Sequence, residues 1–190
     1  MIGSSLRELS LRRQGRRKRV SSYDRTGGNK DFYMIEPGEN RVIADITGAG
    51  KITHIWMTTA SLNQQELYLP RKLVLRMYWD GEEEPSVEAP IGDFYGMGHG
   101  LTKNFASAAL MMSPEDGKAF NCFFPMPFAS RAKIEVENET QSPVRLYFYI
   151  DYEEYDELSG EELRFHALYN QERPTDGVDD ADLTNEYYSF

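Results

Sequence analysis

The stretch "LVLRMYW", Leu73 to Trp79, narrows the choice of fold more than any other. Leu73, Leu75, Met77 and Trp79 alternate with Lys72, Val74, Arg76 and Tyr78. A period of two sends one set of side chains to a buried face and the other outward, which is the geometry of a half-buried β-strand. Residues 144–151 repeat the pattern, with Val144, Leu146, Phe148 and Ile150 opposing Arg145, Tyr147, Tyr149 and Asp151. Two such strands far apart in the chain need a common core, so the chain must bring sheets together. Asp80-Gly81, directly after the first, is a hairpin-type turn.

The segments around these strands read the same way. "FYMIEPGENRVIADITGAGKITHIWMT" runs strand, Pro-Gly turn, strand, Gly-Ala-Gly turn, strand. Further strands are predicted over residues 105–112, 119–124, 132–138 and 144–152. Roughly eight strands without an intervening helical period predict an all-β, antiparallel jelly-roll β-sandwich. Helix is predicted in two places: a short basic helix over residues 5–19, where Leu6, Leu9 and Leu11 interleave with arginines, and residues 159–168, where Ser159 and Glu162 form a capping-box pattern. With 190 residues and 40% hydrophobic content, one ordinary domain is expected. The predicted organisation is a basic helix and polar loop over 1–31, a jelly roll over 32–155, and an acidic extension over 156–190. The aromatics Tyr187, Tyr188 and Phe190 at the end of that extension are expected to dock on a sheet or a partner.

The net charge of −10 is unevenly spread. Arg7, Arg12, Arg13, Arg16, Arg17, Lys18 and Arg19 make the head basic, and acids dominate from Asp151 onward. The expected partners of these arginines are the chain's own acids or another subunit, not nucleic acid, because the acidic remainder would repel phosphate. Cys122 is the only cysteine, which excludes an internal disulfide and suits the cytoplasm. No apolar run reaches the length of a membrane span, and the N-terminus lacks the apolar core of a secretory signal. His54, His99 and His166 are scattered, so no metal and no cofactor are expected.

Two stretches are richer in functional groups than a core requires. "SSYDRTGGNKD", residues 21–31, offers Asp24, Arg25, Asn29 and Asp31. These residue types build either an Asx-type turn that caps backbone amides or a loop that binds vicinal hydroxyls, with Arg25 as a planar fork. "PIGDFYGMGHG", residues 90–100, sets Asp93, Tyr95 and His99 among four glycines. Such a loop lets backbone approach a ligand while Asp and His bond sugar hydroxyls or transfer protons, or it is an interstrand loop satisfying its own backbone. "NCFFPMPF", residues 121–128, reads as a strand leaving the core at a rigid bend, with Cys122 a buried small hydrophobe.

Taken in order, "SSYDRTGGNKDF", "GAGKITHIWMT", "PIGDFYGMGHG", "NCFFPMPF" and "ENETQSPVRLYFYIDYE" followed by "RFHALYNQERPT" resemble the N-terminal half of glycoside hydrolase family 172. The resemblance implies one roll of a double jelly roll, symmetric oligomers such as trimers or multiples of them, and retaining activity on α-D-fructofuranosides, including difructose dianhydride, or D-arabinofuranosides. Retention needs a nucleophilic carboxylate and an acid/base carboxylate close together. The resemblance places both catalytic glutamates in motifs of the second half, so no catalytic residue is expected among these 190 residues. The runs at Glu82–Glu84 and Glu153-Glu154 read as solvated charges. The expected function is therefore that of the N-terminal jelly-roll subunit or fragment of a furanosidase-like hydrolase, completed by a chain carrying the C-terminal half. The alternatives are a non-catalytic carbohydrate-binding module and a structural jelly-roll assembly protein.

Overall fold

The computed structural model describes residues 14–172. Its strands are β1 (Arg16–Ser21), β2 (Tyr33–Ile35), β3 (Asn40–Thr47), β4 (Ala49–Ser61), β5 (Leu73–Trp79), β6 (Val87–Pro90), β7 (Phe105–Ala106), β8 (Leu110–Met112), β9 (Phe120–Cys122), β10 (Met126–Phe128), β11 (Arg131–Asn138), β12 (Val144–Tyr155) and β13 (Ala167–Leu168). One sheet has the order β1-β12-β4-β9-β8-β7, with β2 also on β12 and β10 also on β4. The other has the order β13-β6-β5-β11-β3. Each sheet pairs strands that are distant in the chain, and the two orders β2-β12-β4-β9 and β3-β11-β5-β6 are the wrapped arrangement of a jelly roll.

The predicted turns serve this wrapping. β2 and β4 lie in one sheet and β3 in the other, so the Pro-Gly and Gly-Ala-Gly turns are corners between sheets. Gly48 has φ +94°, which a residue with a side chain adopts only under strain, and its N–H donates to Ser130 O at 2.8 Å. Asp80 and Gly81 both have positive φ, with Glu82 N donating to Trp79 O at 3.0 Å, so the predicted tight turn forms, but it opens a longer connection, because β5 and β6 pair only from Met77 and Val87.

The alternation read from the sequence becomes the core. Leu73, Leu75, Met77 and Trp79 on β5 and Val144, Leu146, Phe148 and Ile150 on β12 are all fully buried, facing each other across the sandwich with Ile55, Met57, Ile134 and Val136. Burying a side chain of this size contributes about 1.5–3 kcal/mol, and the fold rests chiefly on these. Cys122 is among them, and burial pushes its thiol up to about 11.

Several local expectations are corrected. Of the basic helix predicted over 5–19, Arg16 to Arg19 belong to strand β1; residues before Gln14 lie outside the described residues. β1 is a strand because it pairs with β12, where carboxylates stand opposite its cations: Arg16 reaches Glu154 at 3.0 Å and also Asp156 at 3.3 Å, and Arg19 reaches Asp151. The capping-box segment 159–168 is no helix either. Glu162 N does reach Ser159 O at 3.3 Å, but Phe165 O accepts from Trp79 Nε1 at 2.7 Å and β13 runs parallel to β6. The strand predicted over 105–112 is two short strands, β7 and β8, folded back on each other. A one-turn helix, α1 (Ile91–Phe94), was not foreseen. Glu153 is buried and its Oε2 accepts from Tyr155 Oη at 2.6 Å, so it is not a solvated charge. Tyr187, Tyr188 and Phe190 lie outside the described residues. Among those residues no helix is long and apolar enough to cross a membrane.

Candidate ligand site

β1, β12, β4 and β9 lie side by side, and their outward side chains form a network that no single stretch of sequence displays. Register sets Arg19 opposite Asp151 and Asp151 opposite His54, and a bulge between Asp151 and Tyr152 then bends β12. The Asp151 carboxylate accepts from Arg19 Nε at 2.6 Å and Nη2 at 3.0 Å, a bidentate pair, and lies 3.1 Å from His54 Nδ1. On the other side of the ring, His54 Nε2 is 3.2 Å from Asn121 Oδ1. Asn121 is held in that orientation because its Nδ2 donates to the Met111 and Ala119 carbonyls, both at 3.3 Å. Both ring nitrogens therefore face acceptors, and both contacts become hydrogen bonds only when each nitrogen carries a hydrogen.

Electrostatics follow from these contacts. Burial pushes the Asp151 carboxyl up, but hydrogen bonds from Arg19 and His54, with their charge, outweigh it and hold it below the ordinary carboxylate value. Asp151 in turn holds Arg19 above its ordinary value. Aromatic rings frame the network: Phe123 stacks on His54 with centroids 4.6 Å apart and planes at 10°, and Arg19 Cζ sits 4.6 Å over the Tyr149 ring, which stacks on Trp56. Above lies an open groove of about 750 Å³, edged also by Arg17, Lys18, Thr53 and Tyr152.

The residues singled out in the sequence stand elsewhere. In the 21–31 loop, Asp24 Oδ1 accepts from Thr26 N at 2.9 Å and Thr26 Oγ1 at 2.7 Å, and its Oδ2 accepts from Lys30 N at 3.1 Å. Asp31 Oδ1 accepts from Asp24 N at 2.7 Å, and Ser22 ties the loop down by donating to Asp31 O and accepting from Phe148 N. Asp24 and Asp31 thus cap backbone in an Asx-type turn, while Arg25 and Asn29 are exposed, Arg25 lying 5.9 Å from the Tyr23 ring. In the 90–100 loop, Asp93 Oδ1 accepts from Arg71 Nη2 at 2.7 Å. Tyr95 is fully buried against Phe94 and Phe120, so it belongs to the core and offers no surface to a ligand. His99 is exposed at φ 62°. No hydrogen bond or ion pair joins the two loops among the described residues. Nor do those residues contain a group of three or more His, Cys, Asp or Glu side chains placed to hold a metal ion. Arg19, His54, Asn121, Phe123 and Asp151 were missed in the sequence. For His54 and Asp151 the one signal was outward parity on predicted strands, since Asp151 opposes Ile150 and His54 precedes the core residue Ile55; Arg19, placed in the predicted helix, had none.

The strand order and corners define a jelly-roll domain of the β-sandwich class. A family model described as "GH172 first beta-sandwich domain" matches residues 13–164, and the chain belongs to glycoside hydrolase family 172. No curated protein matches it.

Proposed function

We propose that this domain is the first jelly roll of a retaining, furanosidase-like glycoside hydrolase, acting on α-D-fructofuranosides or D-arabinofuranosides once a further domain or a second chain supplies the catalytic glutamates. The observation that carries this reading is the match to the first sandwich of the family. The carboxylates of the described strands support it. A retaining pair needs two carboxyl groups about 5–5.5 Å apart and open to substrate. Here Asp151 is spent on Arg19, Glu154 on Arg16, Glu88 and Glu137 on Arg76, Asp45 on Arg131, and Glu135 on Lys133. Each is an acceptor in an ion pair, poorly suited to attack an anomeric carbon. A symmetric oligomer and a cytoplasmic location complete the reading, the latter resting on the single, buried thiol.

The test is to express residues 1–190 with and without a chain carrying the family's second half, then follow mass in solution and release of sugar from aryl α-D-fructofuranosides and D-arabinofuranosides. Hydrolysis by the pair with net retention, and none by the single chain, is the expected result. Turnover by the single chain at enzymatic rates would sink the proposal.

A further inference from the structure

We propose that the groove over β1, β12 and β4 binds a phosphate-bearing sugar, its phosphate met by Arg17, Lys18 and the outer nitrogen of Arg19 and its sugar ring lying against Phe123. The sugar part rests on the carbohydrate reading above; the phosphate part rests on charge alone. The protein carries −10 overall, yet three successive cations and His54 edge this groove against the single carboxylate of Asp151. That carboxylate is already engaged by Arg19 and His54 on both oxygens. Arg17 is exposed and has no hydrogen bond or ion pair among the described residues, and Lys18 reaches Glu154 only at 3.8 Å. A positive groove on an acidic protein concentrates small anions, while the acidic remainder disfavours a long polyanion such as nucleic acid.

The site is also built to hold still. His54 is anchored through Asn121 to the Met111 and Ala119 carbonyls, and Arg19 is locked both on Asp151 and over Tyr149. A bound anion would therefore find Arg19 Nη1 already in place, with only Arg17 and Lys18 to order around it. Phe123 is 44% exposed although one of its faces covers His54, so an apolar surface remains open to the C–H face of a sugar. About 750 Å³ is within the usual range for small-molecule sites and much larger than phosphate alone requires.

The experiment is calorimetric titration of the full chain with D-fructose 6-phosphate, D-arabinose 5-phosphate, a methyl phosphodiester of either sugar, free D-fructose and inorganic phosphate. The phosphorylated sugars are expected to bind about tenfold or more tighter than free fructose or phosphate. Arg17→Ala should weaken them about tenfold, the loss of one charge-assisted contact. Phe123→Ala should weaken the sugar phosphates but not inorganic phosphate. Preference for the monoesters identifies a free sugar phosphate as the ligand, and equal or tighter binding of the diester identifies a phosphate-linked glycan. Binding unchanged by Arg17→Ala, or no tighter for sugar phosphates than for phosphate, overturns the proposal. Arg17 has no hydrogen-bond or ion-pair partner to lose among the described residues, so its variant should fold, which circular dichroism checks. Because binding is read on this chain, its failure and a failure of furanoside hydrolysis by the reconstituted pair are separate results.

Discussion

On the outer face of the second sheet, Arg76 lies between Glu88 at 2.6 Å and Glu137 at 2.7 Å, Lys133 reaches Glu135 at 2.8 Å and sits over Tyr78, and Arg131 grips Asp45 with two nitrogens. The outer face of the first sheet stacks Trp56 on Tyr149 and His54 on Phe123, with Arg17 exposed beside them. The two faces flank the same core and draw on the same residue types. One spends its charges within itself, and such a ladder offers a ligand little that water does not. The other also pairs Arg16 with Glu154 and Arg19 with Asp151, but it leaves Arg17 without a partner among the described residues and ring faces open. Function is therefore to be sought on the face whose chemistry is incomplete.

That contrast can be broken or sharpened experimentally. The largest effects lie beneath both faces: Leu75→Ala under the second sheet and Phe148→Ala under the first should each cost about 2–5 kcal/mol in denaturant unfolding. A large difference between them would mean that the sheets do not share one core. Next is Gly50→Ala on β4, where an added Cβ meets the Phe128 ring and comes within 3.0 Å of the Glu153 carbonyl. Overpacking there should cost about 1–3 kcal/mol.

The two arginines should then separate the faces directly. Arg76→Ala strands Glu88 and Glu137 and is expected to cost about 1–3 kcal/mol, whereas Arg17→Ala should stay within about 0.5 kcal/mol of wild type. Equal costs would erase the distinction. The smallest effect is in acid. Burial raises the Glu135 and Asp151 carboxyls, but Lys133 and Asn40 on one face, and Arg19 and His54 on the other, hold each below its ordinary value. A depressed carboxylate contributes stability that is complete above its unfolded value, near 4, and lost as pH falls through the lower folded value. Both faces should therefore weaken below about pH 4. Asp151→Asn should flatten part of that decline in a urea midpoint-versus-pH series, and a steeper decline would contradict the sign.

How much the sequence disclosed depended on range. Period-two alternation on β5 and β12 and the Asp80-Gly81 turn were legible because each is written within a few residues. β1 was not, because its strand character comes from pairing with β12 and not from its own arginines. Segment 159–168 carries a helix-start signal, yet Trp79 and β6, far away in the chain, claim its backbone. The glycine-rich loops drew the eye to Asp24 and Asp93, which turn out to be engaged by Thr26 and Lys30 and by Arg71. The groove is assembled from single residues of separate strands, and nothing local marks it.

β12 has a consequence in time. It sits between β4 on one side and β1 and β2 on the other, and β11 sits between β5 and β3. An interior place next to an edge strand in each sheet is thus filled by one of the last long strands of this domain to leave the ribosome. Until residue 155 has emerged, β1, β2 and β4 have no β12 to bond, and their unpaired edges face solvent or neighbouring nascent chains. Such non-local pairing is slow to form, because long loops must close before any contact stabilises them. Both sheets therefore close late and nearly together, and a chain stopped short of residue 144 has the strands of a sandwich without the means to assemble one.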